Sequence, residues 1–78
     1  MNDNYQNLAN AIVLSAVNDY RKGLQTLTLY PKDRTAKYQI KQIEQFFRSE
    51  FYKLLTGIDG EMLIGKLNEE MKNKGVAI

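Results

Sequence analysis

The stretch from Ile40 to Leu55 constrains this chain more than any other. It carries Ile40, Ile43, Phe46, Phe47, Phe51, Leu54 and Leu55, with Lys41, Gln42, Glu44, Gln45, Arg48 and Glu50 between them. Spacings of three and four gather the apolar residues on one side of an α-helix as a broad stripe. All three phenylalanines of the protein fall inside it. A stripe that wide must be covered, so a second helix has to pack against it.

The N-terminal segment supplies the cover. Leu8, Ile12, Val13, Ala16, Val17, Tyr20, Leu24 and Leu27 mark a helical stripe over residues 4–29. Asp3 is placed to cap it, with Gln6 three residues on in capping-box position. Gly23 costs ~1 kcal/mol against alanine inside a helix, so it marks a bend or a close helix approach. Thr26 and Thr28 lean towards β-structure. Tyr30-Pro31-Lys32-Asp33 is the clear break, because proline lacks an amide hydrogen and biases the residue before it away from helical dihedrals. Asp33 then caps a helix over residues 34–55. Ser49-Glu50-Phe51-Tyr52 reads as an N-cap followed by an acid, which marks a kink or restart near Arg48 and Ser49. Thr56-Gly57-Ile58-Asp59-Gly60 is the second break, with Gly57 suited to a left-handed position and Asp59 to the next N-cap. A third helix over residues 60–73 has Met62, Leu63, Ile64, Leu67 and Met71 as its apolar side and stops at Gly75.

A short connection at Pro31 makes the first two helices antiparallel neighbours. Their stripes then pair as a ladder: Leu8 with Leu54, Ile12 with Phe51, Ala16 with Phe47, Tyr20 with Ile43, Leu24 with Ile40, and Leu27 with Ala36. Small faces large at Ala16 and Phe47, as interdigitating layers require. The expected fold is all-α: a single domain, residues 1–78, formed by an antiparallel helical hairpin closed by a shorter third helix as a three-helix bundle. The third helix is expected over the open end, near Leu8, Leu54 and Leu55. Phe46 and Tyr52 lie on the shoulder of the stripe beside Val13 and Val17. They either pack under the third helix or face a second copy or partner.

Composition removes whole classes of chemistry. The 78 residues include no cysteine and no histidine, so disulfides, the usual soft metal ligands and the usual general base are missing. No metal and no cofactor is expected. A domain this short buries only ~60% of its unfolded surface, so its stability is marginal without self-association. The N-terminus is polar and lacks the basic start and apolar core of a signal peptide. No run approaches the ~18 apolar residues of a membrane span. A cytoplasmic protein is expected.

The formal net charge is +2, which indicates neither a nucleic-acid mimic nor a strongly cationic DNA-binder. The distribution is uneven. From Arg21 to Lys53 the balance is +5, from Leu54 onward −1, and over the first twenty residues −2. A solvated helix face accounts for the basic stretch, and a patch for an anionic partner is the alternative.

Candidate catalytic groups do not assemble. Ser15 and Ser49 have no base at helical spacing. Glu69 and Glu70 are adjacent and diverge on a helix. Asp19 and Glu44 approach across the hairpin, and with Arg21 and Lys41 they read as a surface ion-pair cluster. Asp59-Gly60-Glu61 lacks the ligand pattern of an EF-hand, and Gly57 and Gly60 are too sparse for a phosphate loop. No enzyme is expected. A helix-turn-helix fits Arg48 to Lys72 loosely, but its second helix would offer Glu61, Lys66, Asn68, Glu69 and Glu70, a poor surface against phosphate.

Three phrases carry a family likeness. Asn7-Leu8-Ala9-Asn10-Ala11-Ile12-Val13 precedes Ala16-Val17-Asn18-Asp19-Tyr20-Arg21-Lys22. Ile43 to Phe51 reads Ile-Glu-Gln-Phe-Phe-Arg-Ser-Glu-Phe. Leu54 to Ile64 reads Leu-Leu-Thr-Gly-Ile-Asp-Gly-Glu-Met-Leu-Ile. From Tyr5 to Glu70 the chain resembles a group of short uncharacterised proteins of phages, prophages and mobile elements of Gram-positive gut bacteria. The resemblance implies a mobile-element origin and action in the cytoplasm of a bacterial host cell. In that setting an inhibitor of a defence protein, of anti-CRISPR type, or of a replication protein is expected, acting by docking helical surface on protein. The expected function is therefore a non-enzymatic protein-binding module. The alternatives are a small DNA-binding protein of helix-turn-helix type and a structural homo-oligomer in a phage assembly. Expected partners are a host or phage protein and a homodimer, with nucleic acid less favoured and no membrane. Aromatics and arginines are the usual interface anchors, which makes Tyr30, Lys32, Arg34, Tyr38, Arg48 and Tyr52 the candidate partner-binding residues.

Overall fold

The computed structural model describes the backbone of residues 3–76 and the side chains of residues 5–73. It is all-α. Helix α1 spans Asp3–Leu29, α2 Arg34–Phe47, α3 Glu50–Leu55 and α4 Gly60–Val76. The antiparallel pairing of α1 with α2 dominates.

Helix α1 runs unbroken through its β-leaning residues. The Thr26 hydroxyl donates to the Lys22 carbonyl at 3.0 Å and the Thr28 hydroxyl to the Leu24 carbonyl at 2.9 Å, so each turns its competing polar group back onto the helix. The Asp3 cap lies outside the described side chains. The Gln6 amide donates to Asn10 one turn further on. At the break, the Asp33 amide closes a turn onto the Tyr30 carbonyl at 3.0 Å, with Pro31 supplying its fixed φ. The Asp33 carboxylate then accepts from the Ala36 amide at 2.8 Å, and α2 begins.

The helix expected over residues 34–55 is two helices. Arg48 is still right-handed helical (φ −95°, ψ −1°), but Ser49 is extended (φ −83°, ψ 160°). The Ser49 hydroxyl donates to the Phe46 carbonyl at 2.6 Å and accepts from the Tyr52 amide at 3.1 Å. One side chain thus closes α2 and caps α3. The restart shifts the phase of everything after it. An unbroken helix would place Phe51 one turn above Phe47 on the same face. After the pivot Tyr52 enters the core at 1% exposure, while Phe51 turns outward at 54% and Leu54 at 84%.

The ladder consequently holds near the turn and opens at the far end. A Cβ built on Gly23 would lie 2.7 Å from Ile40, beside the expected Leu24–Ile40 rung. Leu8, Phe51 and Leu54, expected in the seam, are exposed. Gly57 is not left-handed, and no described residue has positive φ. The extended Thr56 ends α3 instead, its hydroxyl accepting from the Ile58 amide at 3.2 Å. Asp59 caps α4 as expected, accepting from the Met62 amide at 2.9 Å. Helix α4 continues past Gly75 to Val76.

Helix α4 does not cover the open end. It starts against the end of α2, where Gly60 meets the Phe47 backbone, and runs back over α1 to Arg21. The core it seals contains Val13, Val17, Tyr20, Ile40, Phe47, Tyr52, Ile64 and Leu67. Phe46, expected on the shoulder, is half-buried against this core.

The two close glycines differ in what they touch. A methyl group on Gly60 would overlap the Phe47 carbonyl, a backbone atom that cannot swing aside; on Gly23 it would meet the far end of the Ile40 side chain. Gly60→Ala is expected to lower stability by about 1–3 kcal/mol in urea denaturation. Gly23→Ala is expected to stay within about 1 kcal/mol of wild type, because gained helix propensity offsets the shift of Ile40. Equal midpoints for Gly60→Ala and wild type would show that α4 does not sit on α2 as described.

Candidate functional site

The polar centre of the molecule is built on Tyr20. Its ring is fully buried, edge-on to Phe47 at 5.8 Å. Its hydroxyl donates to the Glu44 carboxylate at 2.7 Å and accepts from the Asn68 amide at 2.9 Å. Asn68 also donates to the Ile64 carbonyl of its own helix. Three helices meet at one oxygen. Burial, and then the hydrogen bond to Glu44, push the Tyr20 hydroxyl up to about 12. At neutral pH it is therefore a held proton donor, neither base nor nucleophile. Glu44 also faces Arg48 at 3.8 Å, and Arg48 reaches on to Glu61 at the start of α4.

The ion-pair cluster expected among Asp19, Glu44, Arg21 and Lys41 does not form. Arg21 projects the other way and grips Glu70 through two bonds, of 2.8 and 3.2 Å. Glu70, expected as solvated surface, thus ties α4 to α1. Asp19 and Lys41 make no ion pair among the described residues.

The six candidate partner-binding residues separate into three places. Tyr52 is core. Its hydroxyl is buried with no hydrogen-bond partner among the described residues, and burial followed by the nearby Asp59 charge raises it above its ordinary pKa. It has no surface to offer a partner, contrary to expectation. Arg48 sits at the α2–α3 corner, half-exposed and engaged with Glu44 and Glu61. Its hydrogen bond holds the Glu61 carboxyl below its usual range. Tyr30, Lys32, Arg34 and Tyr38 remain together at the turn end of the hairpin. All four are exposed, the two tyrosines at 65%. Arg34, Tyr38 and Lys41 recur at four and three residues, so α2 presents them along one side. Lys32, Arg34, Lys37 and Lys41 make no ion pair among the described residues.

The opposite end carries a feature that the sequence reading missed. Tyr5, Gln6, Leu8, Ala9 and Ile12 of α1 face Phe51, Leu54 and Leu55 of α3 across an open cleft of about 400 Å³. Tyr5 at 79% and Leu54 at 84% form its lips. The signal was present in Ser49: a helix restart there rotates the following apolar residues, and half of them must leave the seam. No group of three or more His, Cys, Asp or Glu that could hold a metal lies among the described residues, and no described helix is long and apolar enough to cross a membrane.

Two outcomes follow from the tyrosines. An unfolded tyrosine ionises near pH 10.0 and folded Tyr20 near 12, so the stability Tyr20 adds is complete below pH 10 and lost as pH rises towards 12. The loss is on the order of 2 kcal/mol, and urea midpoints measured from pH 9 to 12 should fall less steeply in Tyr20→Phe than in wild type. Tyr52→Phe removes an unsatisfied buried hydroxyl that costs about 1–3 kcal/mol. It is expected to melt at or above the wild-type temperature, whereas Tyr52→Ala loses about 3–5 kcal/mol; a Tyr52→Phe melt several degrees lower would reveal a partner for the hydroxyl. Compared with family models, with curated proteins and with solved structures, the chain matches none.

Proposed function

We propose that this chain is a non-enzymatic protein-binding module that presents the turn end of its hairpin to an acidic surface on a partner protein. The observation that carries this reading is the set of four cations, Lys32, Arg34, Lys37 and Lys41, without ion pairs among the described residues and beside the exposed rings of Tyr30 and Tyr38. Elsewhere Arg21 pairs with Glu70, Arg48 with Glu44 and Glu61, and Lys53 with Glu50, while Lys22 on α1 and Lys66 and Lys72 on α4 also make no ion pair among the described residues. Unpaired cations next to tyrosines supply what an interface uses, charge for encounter and rigid amphipathic rings for contact. Asp33 is the one acid in the turn, and its carboxylate is occupied by capping α2.

The resemblance to small phage and mobile-element proteins supplies the setting: a bacterial host protein of defence or replication, inhibited by occlusion. Nucleic acid is the competing ligand for the same cations. Against a helix-turn-helix reading, α3 has only six residues, and Glu61 at the head of α4 is engaged with Arg48.

The test uses tagged protein as bait in a lysate of a Gram-positive host, with and without nuclease treatment, with wild type and Lys32→Glu/Arg34→Glu side by side. A protein held by wild type is expected to bind the double variant on the order of tenfold or more weakly, mainly through slower association. The affinity of wild type is expected to fall as salt rises. Equal retention by both baits would remove the turn end as the site. Retention that vanishes with nuclease treatment would assign the cations to nucleic acid.

A further inference from the structure

We infer that the apolar end of the hairpin is covered by a second copy of this chain, in a two-fold dimer that holds the basic turns apart. The occupied face of the hairpin is the one under α4, where Tyr20, Phe47, Tyr52, Ile64 and Leu67 are sealed. No other described residue covers the cleft between the start of α1 and α3, and Tyr5, Leu8, Phe51 and Leu54 stand out of it more than half exposed. Four large side chains at those exposures leave on the order of 500 Å² of apolar surface in one patch, near the upper end for a monomer. With the cleft walls and a polar rim, that approaches the ~800 Å² per partner of a stable interface.

Charge selects the occupant. Among the described residues, none that lines the cleft is charged. A two-fold contact brings each patch against itself, so any net charge there would meet its like; a neutral patch avoids this. Helix α3 brings one charge of each sign beside the patch, Glu50 and Lys53, paired at 3.1 Å within the protomer. Antiparallel packing of α3 on its symmetry mate sets Glu50 of each copy near Lys53 of the other, at no electrostatic cost. The turn end, by contrast, carries Lys32, Arg34, Lys37 and Lys41 and would repel its own kind. Contact at the apolar end puts the two turns at opposite extremes of a particle longer than one 45 Å protomer. The size of the chain points the same way: a 78-residue domain gains proportionately more than a large one from burying a further patch.

This inference stands apart from the partner-binding reading, since it uses the other end of the molecule. Sedimentation equilibrium between about 1 and 500 µM is expected to show wild type as a dimer of 9.0 kDa chains, insensitive to added salt. Leu54→Glu and Leu8→Glu are both at exposed positions and should fold with unchanged helical circular dichroism. Each is expected to weaken association by ~100-fold or more, by burying an unpaired charge. Leu29→Glu, at an exposed leucine beyond the patch, is expected to remain dimeric. The chain lacks cysteine, so Lys32→Cys and Glu50→Cys can be spin-labelled singly. The Lys32 pair is expected beyond 45 Å and the Glu50 pair well inside it. Any of four results overturns the inference: a wild-type monomer throughout, a Leu54→Glu dimer, dissociation by salt alone, or turn labels closer together than the Glu50 labels.

Discussion

The structure depends on how Phe47 is seated. Its ring is 1% exposed and lies within 6 Å of the rings of Tyr20, Phe46 and Tyr52, edge-on to two of them. Such contacts add ~0.5–1.5 kcal/mol each beyond the area they bury. More important is where Phe47 sits. It is the last residue of α2, and its backbone carbonyl is the surface on which Gly60 starts α4. Three helices are therefore placed by one residue: α1 through Tyr20, α3 through Tyr52, and α4 through the close approach at Gly60.

The polar contacts add direction to that packing. Apolar stripes alone let a short helix slide or rotate, because hydrophobic burial is not directional. Asn68 on Tyr20, Glu70 on Arg21 and Glu61 on Arg48 each fix α4 at a different point along its length. The Tyr20–Glu44–Asn68 junction is the most demanding of these. A buried hydroxyl with both a donor and an acceptor in place is satisfied in only one arrangement of its three helices. The hydroxyl of Tyr52, whose ring packs on the other side of the same aromatic cluster through Phe47 and which has no partner among the described residues, shows the other case: there the ring is needed and the oxygen is not.

Most of the fold was legible because its signals were local. Pro31, Asp33, Ser49 and Asp59 act on backbone groups within three residues, and each sits where its side-chain chemistry placed it. The hairpin was legible because both stripes keep helical period up to Phe47. Beyond it the reading failed for one reason. Ser49 marks a restart, but a continuous stripe still puts Phe51 and Leu54 in the seam and leaves Tyr52 on its shoulder, open to α4 or to a partner; the change of phase at Ser49 decides all three. Gly57 misled similarly: Thr56 ends α3 by going extended, and no left-handed residue is required. The position of α4 was not legible at all. It rests on pairs separated by more than forty residues, Tyr20 with Asn68 and Arg21 with Glu70, and no periodicity encodes which charge meets which. Of the candidate site, the turn residues Tyr30, Lys32, Arg34 and Tyr38 were found from composition, and the apolar cleft was lost with the phase.

The phase shift at Ser49 also explains why this molecule has two different ends. Had α2 run on to Leu55, Phe51 and Leu54 would have closed on Ile12 and Leu8, and the hairpin would be apolar inside along its full length. The restart transfers Tyr52 to the core and sends Phe51 and Leu54 out, so buried area near the middle rises while the far end opens. The charge pattern is already polarised in the opposite sense, with basic residues gathered towards Pro31. One end is thus neutral and apolar, the other cationic and aromatic, with α4 filling only the middle. A neutral apolar end associates best with itself and a cationic end only with something else. A dimer joined at the first would offer the second twice, and two linked sites hold a partner with two matching surfaces far longer than either does alone.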